Sequence, residues 1–267
     1  MSDNSSGKTI WFVSQYAGGP GIGMQYRHYQ LAKELLTQGH KAIIISGSFS
    51  HLYLNPPNIE RNGDCQYIDG VKYVWVKNPK YVKSISLGRF WNMLVFAWNL
   101  MRLDVNTLPI PDAVIVSSPS MMPITSALRW RRRLGCKLCF EVRDIWPLTL
   151  QELGKLSYYH PLIIFMRYFE RLAYKKSDII ISLLPNALNH YVSNGMHPSK
   201  FRYLPNGVES AKIHCDSDFY WPEAIGENAF VVGYGGSIGK ANAIRYLIDA
   251  ARILKAEMHI HFVIIGK

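Results

Sequence analysis

Short apolar runs alternate with amphipathic stretches along nearly the whole chain. Residues 9–14 (TIWFVS) read as a strand, residues 25–38 carry apolar side chains at helical spacing and stop at Gly39, and residues 41–46 (KAIIIS) read as a second strand. Glycine just after the last periodic residue suits the left-handed cap that ends many helices. The alternation continues with predicted strands at 112–117, 137–143, 178–182 and 201–204 and predicted helices at 122–134, 161–175 and 186–194. Strand and helix in strict succession mark βαβ units built on a mostly parallel sheet. Asp69-Gly70, between the apolar runs 65–68 and 71–76, favours the tight turn of an antiparallel hairpin, which reads as an insertion.

The pattern lapses between residues 205 and 228 into polar, proline-containing sequence without a period, as an interdomain linker does. It then restarts with a strand at 230–234, a glycine turn, a helix at 241–255 and a strand at 259–265. The expected organisation is α/β: a complete doubly wound domain over residues 1–205, a linker over 206–228, and the first βαβ of a second domain over 229–267. That last piece is too short to enclose a core of its own.

Composition narrows the partners. Hydrophobic residues at 48% with charged residues at 18% exclude a disordered chain, and a formal net charge of +11 points to anions such as phosphorylated sugars or acidic lipid headgroups. Zinc-finger spacing, a basic helix leading into heptads and an aromatic RNA-binding motif are all missing, so nucleic acid is not an expected partner. Cys136 and Cys139 have metal-like spacing, but no second pair matches it, and the surrounding residues read as a buried strand. No metal site and no cofactor are expected. Residues 1–8 are polar, without an apolar signal core, and no run of 18 apolar residues marks a spanning helix, which leads us to expect a cytoplasmic protein.

Three segments carry candidate chemistry. Residues 18–27 (GGPGIGMQYR) follow the first strand, where glycines let the backbone turn sharply and the next helix offers unpaired N–H groups to an anion; a purely structural turn fits equally well. Residues 141–147 (EVRDIWP) place Arg143 and Asp144 at the carboxyl edge of the sheet, where open α/β folds bind ligands. The competing reading is an Arg143–Asp144 ion pair that only orders the loop. Residues 233–240 (GYGGSIGK) form a second glycine turn whose amides, with Lys240, suit a diphosphate, although Lys240 also fits a solvated helix start.

A fourth segment concerns surfaces. Lys77, Lys80 and Lys83 lead into residues 87–103, where Phe90, Trp91, Met93, Leu94, Phe96, Trp98, Leu100 and Met101 form a broad apolar face and Arg89, Asn92, Asn99 and Arg102 a narrow polar stripe. Lys80, Lys83, Trp91 and Trp98 are the candidate contacts of a helix lying in an anionic membrane interface. Packing of the same helix on the sheet explains the pattern as well. Arg129-Trp130-Arg131-Arg132-Arg133 adds basic charge that a solvated helix face also explains.

Taken in order, residues 20–31 (PGIGMQYRHYQL), 38–41 (QGHK), 48–52 (SFSHL), 142–147 (VRDIWP), 204–208 (LPNGV) and 234–240 (YGGSIGK) resemble family 4 glycosyltransferases of the GT-B type. The likeness spans essentially the whole chain. It is strongest to the branch that builds bacterial capsule and O-antigen repeats, including transferases of N-acetyl-fucosamine-like sugars. The resemblance implies two Rossmann-like domains and a retaining, metal-independent transfer from a nucleotide sugar to a glycan on a polyprenyl diphosphate. It implies a peripheral place on the inner face of the cytoplasmic membrane.

By the same resemblance, Arg143 and Asp144 are the catalytic candidates, Gly21, Gly23, Met24 and Arg27 face the acceptor, and Gly236, Ser237 and Lys240 hold the donor diphosphate. Many relatives carry arginine where this chain has Ser237. The family's acidic donor-binding motif and closing helix lie beyond the second strand of the second domain, so residues 1–267 alone are expected not to catalyse transfer. A non-catalytic acceptor-binding fragment, or a split subunit completed by a second chain that supplies the donor domain, is the alternative. A nucleotide-sugar epimerase on the same fold is a third reading, disfavoured because it leaves the membrane-like segment without a use.

Overall fold

Strand periodicity decides which side chains meet. The computed structural model describes residues 7–82, 86–207, 225–226, 228–239 and 242–266, and the chain divides into two units at Gly207 and Val208. In the first unit the strands are β1 (Thr9–Val13), β2 (Lys41–Gly47), β3 (Cys65–Ile68), β4 (Val71–Val76), β5 (Ala113–Ser117), β6 (Lys137–Val142), β7 (Ile179–Ser182) and β8 (Phe201–Tyr203). They form one sheet in the order β3-β4-β2-β1-β5-β6-β7-β8, parallel except for β3. The order reverses beside β1, between β2 and β5, which is the switch point where such sheets bind ligands beyond their strand ends.

Alternate residues of each strand supply two core layers. Trp11 and Val13 of β1, with Val114, Val116, Leu138 and Phe140, pack under α2 (Leu87–Met101), α3 (Ile124–Leu134) and α5 (Pro161–Lys176). Phe12, Ile44 and Tyr73 face the other way, against Tyr29 and Ala32 of α1 (Arg27–Thr37). Two short helices, α4 (Leu148–Glu152) and α6 (Leu188–Ser193), follow β6 and β7. The 69–70 turn forms as expected, but the hairpin is no insertion: β4 pairs in parallel with β2 and extends the sheet. Val71, Tyr73, Val74, Trp75 and Val76 are each at most 1% exposed, and that burial demands a place in the sheet.

The second unit contains β9 (Phe230–Gly235), α7 (Ile244–Ile253) and β10 (Ile260–Ile265), with the two strands paired in parallel. The helix is shorter than its periodicity suggests because Ala243 adopts a left-handed conformation at its start. Among the described residues no helix is long and apolar enough to cross a membrane. The basic run 129–133 ends α3, where Arg131 pairs with Asp178 at 2.6 Å and Trp130 meets Trp11 edge-on at 5.5 Å, so part of it serves the fold. Cys136 and Cys139 are buried beside and within β6, and burial pushes the Cys139 thiol up to about 11.

Candidate functional site

The carboxyl edge of the first sheet gathers its polar residues in two levels. The lower level is buried. Glu141, next to last in β6, is 1% exposed; its Oε1 accepts from Arg27 Nε at 2.9 Å, and its Oε2 accepts from Ser117 Oγ at 2.7 Å and lies 2.8 Å from His28 Nε2. Burial works against the charge on Glu141, but His28, Arg27 and Ser117 outweigh it and hold the carboxyl well below its ordinary range. Arg27 also donates to the carbonyls of Leu204 and Pro205 and to Asn206 Oδ1. One guanidinium therefore ties the start of α1 to the end of β6 and to the segment after β8.

The upper level opens outward. Ser118 Oγ accepts from the backbone N–H of Arg143 at 2.9 Å and of Asp144 at 3.3 Å, which fixes the loop as it leaves β6. The Arg143 guanidinium donates to Gln25 Oε1 and forms no ion pair with Asp144. Asp144 is exposed. The loop-ordering ion pair weighed from the sequence is thus replaced by a link from Arg143 to the glycine-rich segment.

That glycine-rich segment is a structural turn. The N–H groups of Gly19, Ile22, Gly23 and Met24 donate to carbonyls of the protein, and Tyr73 OH donates to the Gly18 carbonyl. A side chain at Gly23 would put its Cβ 2.4 Å from the Leu52 oxygen, and its φ of +152° also requires glycine. Of the acceptor-facing candidates, Gly21 and Met24 are exposed, whereas Gly23 and Arg27 are buried in the framework. Arg27 therefore acts on the edge by positioning Glu141 and the 204–206 segment.

A neighbouring cluster escaped sequence reading because its members come from five separate segments. Arg89 of α2 donates to Tyr16 OH at 3.3 Å and lies over the rings of Tyr16 and Trp146, at 5.3 and 5.8 Å. Tyr81 OH sits 2.6 Å from His51 Nδ1. Partial burial and then Arg89 lower the His51 pKa, which favours the neutral ring. The only sequence signal was a run of aromatic and histidine residues just beyond strand ends.

Helix α2 is buried on one face and exposed on the other. Met93, Phe96, Ala97 and Leu100 are buried against the domain, while Leu87, Trp91, Trp98 and Met101 are exposed, Trp91 by 60% and Trp98 by 52%. Its polar stripe faces protein in part: Asn92 accepts from Gln15 and donates to the Pro79 carbonyl, and Asn99 donates to the Lys77 carbonyl. Arg102 stacks on Trp98 at 4.4 Å, and Lys80 is exposed; Lys83 lies outside the described residues.

In the second unit the glycine turn leaves β9. The Gly236 N–H is already used, donating to the Ile265 carbonyl at 2.9 Å, and the Ser237 carbonyl accepts from Tyr234 OH and Asn242. Lys240 lies outside the described residues.

A family model described as Glycosyltransferase Family 4 matches residues 22–212. Among solved structures, the catalytic domain of starch synthase IV from Arabidopsis thaliana, bound to ADP and acarbose, superposes with a TM-score of 0.63 at 14% identity, covering 98% of this chain and 69% of that one. Sucrose-phosphate synthase from Thermosynechococcus elongatus gives 0.60 at 11% identity, covering 97% and 70%. The structure of LpCGTa in complex with UDP gives 0.53 at 13% identity, covering 96% and 70%. These likenesses establish the α/β architecture as GT-B type. No curated protein matches the chain significantly.

Proposed function

Because this chain belongs to Glycosyltransferase Family 4, we propose that it moves a sugar from a nucleotide-sugar donor, with retention at the anomeric carbon, to a glycan carried on a polyprenyl diphosphate in the synthesis of capsule or O-antigen. The observation that carries the site assignment is the loop after β6, where Arg143 is pinned to Gln25 and Asp144 stands exposed at the ligand-binding edge. In this reading Asp144 orients the acceptor hydroxyl, and Arg143, partly desolvated, supplies positive charge beside it. Gly21 and Met24 border the acceptor, while the turn at Gly236, Ser237 and Lys240 meets the donor diphosphate. A nucleotide donor is supported by the ADP and the UDP bound in two of the similar structures.

The protein works at the inner face of the cytoplasmic membrane. The exposed Trp91 and Trp98, with Arg102 over the Trp98 ring and the exposed Lys80 in the segment before α2, are the side chains an anionic interface would take up. The test is transfer from a panel of nucleotide sugars to a polyprenyl-diphosphate-linked saccharide, with the anomeric configuration of the product read by NMR. Retention with the lipid-linked acceptor supports the reading; transfer to soluble sugars alone, or inversion, overturns it.

A further inference from the structure

His51 stands beyond β2 at the carboxyl edge of the first sheet, and it is exposed. The segment it begins is laced to the glycine-rich turn. Met24 N–H donates to the Leu52 carbonyl at 3.3 Å, Leu54 N–H donates to the Ile22 carbonyl at 2.7 Å, and Gly23 and Tyr53 form an antiparallel bridge. The His51 ring also meets Tyr16 edge-on at 6.4 Å. Arg89 donates to Tyr16 OH and lies over the Tyr16 and Trp146 rings, and Trp146 is two positions past Asp144. Tyr16, Arg89 and Trp146 therefore link the histidine to the loop that carries Asp144, and Arg89 is taken up in that link.

Hydrogen bonding fixes what the His51 ring offers. Nδ1 lies 2.6 Å from Tyr81 OH. The phenol oxygen is faced by two further donors, the His51 backbone N–H at 3.5 Å and the Ser50 hydroxyl, so its own proton turns to Nδ1. Nδ1 is then an acceptor, and in the neutral ring the proton sits on Nε2. Partial burial and then Arg89 oppose protonation, which keeps the ring neutral. Tyr81 is 8% exposed and packs edge-on against Phe49 at 5.3 Å, so the phenol, and through it the imidazole, is held in one orientation. No hydrogen bond reaches Nε2 among the described residues. The ligand edge thus presents an oriented, uncharged N–H donor. A phosphate is held best by charge-assisted donors, whereas a neutral N–H suits the uncharged hydroxyl and acetamido carbonyl oxygens of a sugar.

We propose that His51 is a saccharide-binding residue, its Nε2–H donating to a hydroxyl or acetamido carbonyl oxygen of the acceptor sugar whose reacting hydroxyl lies at Asp144, with Tyr81 as the positioning residue that fixes the tautomer. This rests on the glycan acceptor proposed above and goes further in giving that sugar a contact from the other end of the Tyr16, Arg89 and Trp146 link.

The first measurement is a long-range proton–nitrogen NMR spectrum of the chain, which separates protonated from unprotonated ring nitrogens. His51 should carry its proton on Nε2 at neutral pH, and Tyr81→Phe should mix the two tautomers; a proton on Nδ1 in the parent overturns the proposal. Titration with a panel of uncharged disaccharides containing N-acetylhexosamine should shift the Nε2 signal, and inorganic diphosphate should not. A response to diphosphate alone, or to neither probe, overturns it too. The second measurement is transfer to the lipid-linked saccharide in a full-length context. His51→Ala should raise the acceptor KM about twofold to tenfold, the range for a single hydrogen bond, while kcat changes less than about twofold. His51→Gln, whose Nε2 can take the same place, should recover most of that loss. Equal defects in both variants, with kcat falling as well, assign His51 to the framework and overturn the proposal. Lipid-linked transfer with an unchanged KM in His51→Ala would remove this contact and leave the proposed function standing. A disaccharide response at His51 without lipid-linked transfer would keep the contact and remove that function.

Discussion

Glu141 and Asp144 are two carboxylates three positions apart at the end of one strand, in opposite surroundings. Glu141 is enclosed by Arg27, His28 and Ser117, whereas Asp144 is exposed past the last strand pairing. The difference is where the parallel ladder ends. Inside it, a charge persists only if neighbouring elements bring compensating donors; beyond it, the backbone turns outward and the side chain is left for a ligand. The same edge thus holds a buried clamp that fixes geometry and, just beyond it, an exposed carboxylate.

Removing the clamp should have the largest effect. Glu141→Ala leaves Arg27 and His28 buried against a void and should cost about 3–5 kcal/mol, measured by urea unfolding of the full chain. A variant as stable as the parent would show that the two carboxylates do not differ in the way described. Asp144→Asn, made in a full-length context, should reverse the pattern: turnover falls at least about tenfold, the lower range for a positioned acid–base group, while stability stays within about 0.5 kcal/mol, as for most surface changes. Loss of stability without a separable kinetic defect would assign Asp144 to the framework.

Titration sharpens the contrast. The Glu141 pKa is depressed in the folded state, so its stabilising contribution is complete above the ordinary carboxylate range and is lost progressively as pH falls below it. Thermal melts of the parent between pH 7 and pH 3 should therefore show a steeper acid decline than those of Glu141→Gln, and identical slopes would refute the assignment. The smallest effect belongs to Gln25→Ala, which frees the Arg143 guanidinium. It should lower turnover severalfold with little change in the melting temperature, because α1 and the sheet stay in place. An unchanged rate would mean that the Gln25 link does not position Arg143.

Much of the first unit was legible from periodicity. Alternation in 9–14 and 41–46 and the apolar face of 161–175 depend on which side of one element each residue occupies, and that is local. The 65–76 segment shows the limit: the Asp69-Gly70 turn was readable, but the parallel pairing of β4 with β2 was not, since a hairpin motif is silent about what its outer strand will join. Helix α2 had the same difficulty, with two apolar faces written in one composition. Only the fold shows that Phe96 and Leu100 face the core and Trp91 and Trp98 face outward.

The sequence by itself determined the alternating α/β plan, the placing of Arg143 and Asp144 at a strand end, and the glycines where the chain must turn. Tertiary structure alone decided that Arg27 is a clamp, that Glu141 and His28 matter, that Arg143 reaches Gln25 across 118 positions, and that Arg89, Tyr16 and Trp146 meet. The reason is physical. Backbone geometry and side-chain periodicity are set by a few neighbouring residues, whereas the partner of a buried charge is whichever donor the packed elements bring within about 3 Å, and no local pattern encodes that distance.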